Sequence, residues 1–232
     1  MNRYIAQSRL PELDADSQRR LADSKVLVVG CGALGSPVGM YLAGAGVGHI
    51  IVADFDNVEL SNLHRQVFYS ESEIGKNKAE LLASRMLSLN SEIKVDALTN
   101  IISGKLLNSP SPLHENLDLV IDAADNPSTT YLLQDYCERH SLPFITAGVS
   151  EWKAQVFLYI PGSATYGQIV PRPSDESGIL PCSIAGIAGP TAAFAASLQA
   201  SEALLILSGH GPESSSLFTA DLRNHQFSHL SL

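Results

Sequence analysis

Residues 26–36 read VLVVGCGALGS, and residues 49–54 read HIIVAD. The first stretch is an unbroken apolar run that stops at Gly30, the pattern of a strand buried on both faces. A helix is expected from about Leu34 to Ala45, closed by the GAGVG of residues 44–48. The second stretch is the next strand. Strand, glycine turn, helix and strand make the opening unit of a parallel, doubly wound sheet. The turn fits G-x-G-x-x-G: Gly30 permits the tight bend, Gly32 lets main chain approach a phosphate, and Gly35 lets the helix pack close. The free N–H groups of the helix start, around Ala33, favour an anion. Asp54 ends the second strand, where an acid accepts hydrogen bonds from ribose hydroxyls. Up to this point NAD, FAD and ATP all fit.

The same alternation continues outward. KNKAELLASRMLSLN (76–90) is an amphipathic helix with Leu82, Met86 and Leu89 on one face. EIKVDAL (92–98) is a third strand, LDLVIDAAD (117–125) a fourth, NPSTTYLLQDYCERH (126–140) a helix and LPFITAG (142–148) a fifth strand. After Gly148 the pattern changes: KAQVFLYIPG and the final SLFTADLRNHQFSHLSL read as strands without helical partners. The expected fold class is therefore α/β, a doubly wound, mostly parallel Rossmann-like sheet with antiparallel C-terminal strands. One domain covers 1–232: a helical N-terminal arm (1–21), a nucleotide-binding core (22–148) and an extension (149–232). The extension holds a Pro-, Gly- and Ser-rich loop at 165–182 and a long helix near Ile187 to Leu207.

Bulk properties narrow the function. The chain has 232 residues, 45% of them hydrophobic and 17% charged, as expected of a domain with a real core. A net charge of −9 disfavours nucleic acid and anionic membrane as partners. The N-terminal stretch has no apolar leader pattern, and the apolar stretch at 189–209 is broken by Ser197, Gln199, Ser201 and Glu202. Three cysteines, Cys31, Cys137 and Cys182, show no disulfide spacing. A cytoplasmic location is expected.

Residues after Asp54 separate the nucleotides. Asn62 and Arg65 follow it, and Lys78 stands in the first turn of the next helix, an end that itself favours phosphate. A dinucleotide is held mostly by main chain, whereas a triphosphate needs cationic clamps. This favours ATP. Asp125 falls at the carboxyl edge of the fourth strand, where it suits either a Mg²⁺ ligand or the cap of the helix that follows.

These residues together resemble the ubiquitin-activating-enzyme-like family, which includes the ThiF/MoeB/HesA-type adenylyltransferases that activate sulfur-carrier proteins for thiamin and molybdopterin synthesis. The likeness rests on RY…Q…LPE near the start, the run through SNLHRQVF (61–68), IGKNKAE, DAADN and PCSIAGIAGPTAAFAASLQASEALLILSG. The resemblance implies ATP on the glycine turn and ribose on Asp54. It implies triphosphate on Asn62, Arg65 and Lys78, with Asp56, Gln66 and Asn126 beside them, and Mg²⁺ on Asp125. The implied substrate is the C-terminal glycine carboxylate of a small ubiquitin-fold sulfur carrier ending in Gly-Gly, and the implied assembly is a homodimer. Arg65, Lys78 and Asp125 carry the implied chemistry. Cys182 stands where some relatives form a covalent bond to the activated carrier.

The sequence also departs from the family. Many relatives read R-Y-x-R-Q, with the second arginine reaching the neighbouring subunit's triphosphate; here that place is Ala6, with Arg3 and Arg9 as possible substitutes. The paired C-x-x-C zinc motif of many relatives is missing, its first half falling at about Thr165 and Gln168, so no zinc is expected. Two other readings follow: a catalytically weak family member that serves as an ATP-binding partner, and an NAD-dependent oxidoreductase. The latter would leave Arg65 and Lys78 unexplained.

Overall fold

A computed structural model describes residues 3–107, 116–172 and 186–232. Eight strands form one sheet in the order β3-β2-β1-β4-β5-β6-β7-β8. The strands are β1 (Lys25–Val29), β2 (His49–Ala53), β3 (Lys94–Leu98), β4 (Leu119–Asp122), β5 (Phe144–Ser150), β6 (Lys153–Tyr159), β7 (Ser216–Asp221) and β8 (Gln226–Ser231). β1 to β5 run parallel, and β6 to β8 are added antiparallel. The expected fold class holds, including the switch after β5.

The helices are α1 (Ala15–Asp23), α2 (Gly35–Ala45), α3 (Lys78–Leu89), α4 (Gly104–Leu107), α5 (Pro127–His140), α6 (Tyr166–Ile169) and α7 (Gly189–Ser208). Local chemistry sets their ends. Asp14 caps α1 by accepting from the N–H groups of Asp16 and Ser17, and Gly46 ends α2 in the left-handed region, at φ 87°. One apolar layer, including Val28, Leu42, Ile50, Leu82 and Ile121, lies under α2, α3 and α7; a second, including Leu27, Leu133 and Phe144, lies under α5. α7 is twenty residues long and apolar enough to cross a membrane by length and composition. Here Ala192, Ala195, Ala196 and Ala203 pack it into the first layer.

The N-terminal arm is not one helix. Two single 3-10 turns, Gln7–Arg9 and Pro11–Leu13, precede α1. Arg3 and Arg9 are thus not placed one α-helical turn either side of Ala6. The 3-10 turn carrying Arg9 is too short to continue, because Leu10 is extended ahead of Pro11.

Strand order places the site. β1 pairs with β2 on one side and with β4 on the other, so the chain leaves the sheet in opposite directions between β1 and β4. The carboxyl ends of these two strands open the crevice in which ligands bind in doubly wound sheets.

Candidate nucleotide and acyl-substrate site

A cavity of about 900 Å³ opens at the carboxyl ends of β1, β2 and β4. Gly30, Gly32 and Ala33 of the turn line it, as do Asp54 and Asp56 after β2. Asn62, Arg65 and Gln66 close one side, Lys78 reaches in from α3, and Asp125 and Asn126 come from the end of β4. Among the described residues sought from the sequence, only Gly35 is off the wall. Cys182 lies outside the described residues.

The glycine turn is as tight as its sequence suggests. Gly30 has φ 94°, and a Cβ there would sit 2.5 Å from the carbonyl oxygen of Ala123. A Cβ on Gly35 would sit 1.8 Å from the carbonyl oxygen of Gly30, so Gly35 works behind the turn by letting α2 start against it. The N–H of Gly30 donates to Ala53 and that of Cys31 to the Asp54 carboxylate, at 2.8 and 2.7 Å. Among the described residues the N–H groups of Gly32 and Ala33 have no main-chain acceptor, and they lie just ahead of α2.

Asp54 accepts from Cys31 through one oxygen and from the N–H of Asp56 through the other, at 2.7 and 2.8 Å. Each oxygen retains a lone pair for a further donor. Burial raises its carboxyl above the ordinary range, and the two N–H groups and Lys78 offset part of that rise.

Lys78 is 5% exposed, and its ammonium meets the half-exposed Asp56 carboxylate at 3.1 Å. Asn77 fixes the base of α3: its side chain accepts from Glu80 N–H and donates to the carbonyls of Asp54 and Asp56. Arg65 donates to Ser61 O at 3.1 Å and lies 3.0 Å from His64 Nε2. Among the described residues it has no carboxylate partner. Among the described residues its charge is therefore uncompensated beside the cavity. Asn62 and Gln66 are buried, and Gln66 Oε1 has no hydrogen-bond partner among the described residues.

At the end of β4 the two sequence options for Asp125 separate. Asn126 is the cap of α5, accepting from Thr129 N–H at 2.9 Å and from Ser128 Oγ at 2.8 Å. Asp125 is exposed on the cavity wall, and its carboxylate has no hydrogen-bond or ion-pair partner among the described residues.

Sequence reading missed the floor. Asp122 is fully buried and accepts from Thr130 Oγ1 at 2.6 Å, Thr146 Oγ1 at 2.8 Å and the Ala124 N–H at 3.0 Å. Its main-chain carbonyl accepts from Gln199 of α7 at 2.8 Å. Burial pushes this carboxyl up to about 6 despite the three donors. Gly148, Gln155, Phe157 and Tyr166 extend the cavity under β5, β6 and α6. The one available signal was the spacing of Asp122 and Asp125 at the end of an otherwise apolar strand.

Other expected residues are placed as follows. Cys31 and Cys137 are buried, as packing residues are. Arg172 pairs with Asp135 and lies over the Tyr131 ring. Arg3 donates to Leu89 O at 2.9 Å and lies 3.7 Å from Glu92. Ala6, Arg9 and Trp152 are exposed. Thr165 and Gln168 form a reciprocal hydrogen-bonded box at the start of α6.

The ThiF family model matches residues 4–232. This chain belongs to the ThiF family. It is 33% identical over 230 residues to the sulfur carrier protein ThiS adenylyltransferase of Escherichia coli (strain K12), covering 99% of this chain and 90% of that one. It is 35% identical over 211 residues to the adenylyltransferase and sulfurtransferase MOCS3 of Dictyostelium discoideum, covering 90% of this chain and 49% of that protein. The chain thus spans about half the length of the MOCS3 relatives it matches. Among solved structures, E. coli MccB with ATP superposes with a TM-score of 0.83 at 28% identity, covering 99% of this chain and 71% of that one. MccB in complex with N-formylated MccA gives 0.84 at 29%, covering 99% and 72%.

Proposed function

We propose that this chain is an adenylyltransferase that uses ATP to activate the C-terminal glycine of a small ubiquitin-fold sulfur carrier, working as a cytoplasmic homodimer. The observation that carries the reading is what meets on one cavity wall. Gly32 and Ala33 of the turn, the buried Lys78 and Arg65 line it, and Arg65 has no carboxylate partner among the described residues. The same cavity is lined by Asp125, whose carboxylate has no partner among the described residues. Cationic side chains beside open N–H groups suit a triphosphate, and an acid with no partner among the described residues suits its divalent cation. The names of the ThiF-family relatives support the same chemistry.

The residues fit ATP. Gly32 brings bare main chain to the cavity wall, and Gln66 presents a buried acceptor with no donor among the described residues. In this reading Asp54 takes the ribose hydroxyls, Gly32 and Ala33 the phosphates nearest the turn, and Asn62, Arg65 and Lys78 the rest. Asp125 would hold Mg²⁺, which neutralises phosphate charge when bound. The carrier's carboxylate oxygen forms a bond to the α-phosphorus as the bond to the departing pyrophosphate breaks. The products are acyl-adenylate and pyrophosphate. Side chains supply position and charge, with no proton to move at the attacking carboxylate. Lys78 exchanges the exposed Asp56 for phosphate oxygens without leaving its buried seat. The net charge of −9 supports a partner other than nucleic acid or anionic membrane.

One observation favours a second reading, an ATP-binding partner with weak catalysis. Ala6 removes one arginine, and Arg3 is held on its own chain by Leu89 and Glu92. A single experiment separates the two: ATP–pyrophosphate exchange with Gly-Gly-ending carriers, and with short peptides, for the native chain and Arg65→Ala. Carrier-dependent exchange that falls at least about a hundredfold in Arg65→Ala, with the fold intact, supports the proposal. ATP binding without exchange in the native chain supports the second reading, and full exchange in Arg65→Ala sinks the assignment of Arg65.

A further inference from the structure

Tyr69 lies beneath the site rather than on its wall. It is 6% exposed, and its hydroxyl lies 2.7 Å from Cys31 O and 3.2 Å from Lys78 O. Those carbonyls belong to the two elements that face a nucleotide's phosphates, the glycine turn and the first turn of α3. The phenol has a single proton, and the shorter contact is with Cys31.

That contact fixes a direction. No peptide bond among the described residues is cis, and in a planar trans peptide the C=O and N–H point opposite ways. The Cys31 carbonyl shares its peptide with the Gly32 N–H. Drawing that carbonyl inward to Tyr69 turns the Gly32 N–H outward, and Gly32 lines the cavity. On the other side of the residue, the Cys31 N–H is held by Asp54 at 2.7 Å. Both peptide planes at Cys31 are therefore set by side chains. The Tyr69 ring is itself held. The Arg85 guanidinium stands 5.4 Å over its centroid, and both carboxylate oxygens of Glu73 hold Arg85, at 2.7 and 2.5 Å.

We propose that Tyr69 is a positioning residue: it aims the Gly32 N–H at a nucleotide phosphate and ties the glycine turn to the turn that carries Lys78. The inference rests on the nucleotide reading above and adds a residue that touches no ligand. It demands a loss confined to phosphate, because Asp54 and the ribose side keep their geometry when only the hydroxyl is removed.

The test is Tyr69→Phe, with affinities for Mg–ATP, AMP and adenosine measured by calorimetry or displacement, alongside thermal unfolding. The expected result is roughly tenfold weaker binding of Mg–ATP and AMP, the loss of one well-aimed donor, with adenosine unchanged. Arg85→Met, which frees the ring but keeps the hydroxyl, is expected to give a smaller loss with the same phosphate selectivity. It decides the matter if the phenylalanine variant does not fold. Equal weakening of all three ligands marks general damage and overturns the proposal, as does no change in any. A native chain that binds adenosine and ATP equally overturns the nucleotide reading itself, and is recognised before any variant is made.

Discussion

Replacing Asp122 with asparagine tests how the floor of the cavity is held. Asp122 is sealed from solvent and accepts hydrogen bonds from two threonine hydroxyls and one main-chain N–H. Burial dominates, so the carboxyl titrates at about 6 in the folded chain against an ordinary value of 3.8. A folded pKa above the unfolded one means that the native state holds the proton more tightly. Its stabilising contribution is complete below the unfolded pKa and is lost as pH rises through the folded pKa. The displacement from 3.8 to about 6 corresponds to about 3 kcal/mol. Asparagine cannot ionise. It can still accept from the threonines, but its amide cannot also serve the Ala124 N–H. The variant therefore starts less stable at acid pH, and the gap to the native chain narrows as pH rises from about 4 to about 7.5. Asp54 and Glu202 are also raised by burial, so only the difference between the two proteins isolates Asp122. The assay is urea unfolding across that range. With a denaturant slope of about 3 kcal/mol/M, the gap in midpoints should close by roughly 1 M. A gap constant to within about 0.3 M, on the same slope, would refute the account, because Asp122 would then titrate alike in both states.

Two further outcomes follow from the site. Gly35→Ala places a methyl group 1.8 Å from the Gly30 carbonyl and must push α2 off the turn; unfolding should show a loss of about 1–3 kcal/mol, and ATP affinity should fall with it. Asp125→Asn removes a carboxylate with no partner among the described residues, so stability should stay within about 0.5 kcal/mol while carrier-dependent adenylation drops at least about a hundredfold. Chelating the divalent cation should reproduce that loss in the native chain and add little in the variant.

Strand and helix positions were legible because buried parallel strands write continuous apolar runs and their helices write glycine and asparagine ends. The meeting of the glycine turn, Asp54, Arg65 and Lys78 on one cavity was legible because the fold restricts their spacing. Other features depend on contacts distant in sequence. Nothing near Asp122 reveals that Thr146, on the next strand, will share its proton, or that Gln199 of α7 will meet its carbonyl. Tyr69 reads as one more aromatic in a loop until Cys31 and Lys78 are brought to its hydroxyl. The N-terminal arm carried a helical composition, yet the extended Leu10 ahead of Pro11 and the extended Asp14 divide it into two single turns and α1.

The pairing of β1 with β4 has a consequence for how the molecule comes into being. β1 and β2 are joined by a short crossover, but Val26 meets Leu119 only after the chain has passed through β2, α3 and β3. Closing a loop of that length costs chain entropy before any contact repays it, and such pairings form slowly. Gly30 and Asp125 stand on opposite sides of that one seam. An incompletely assembled chain can hold its first strands and helices and still have no cavity. In the proposed reading nucleotide capture reports finished assembly, and a nucleotide that binds only the assembled cavity favours that state by mass action.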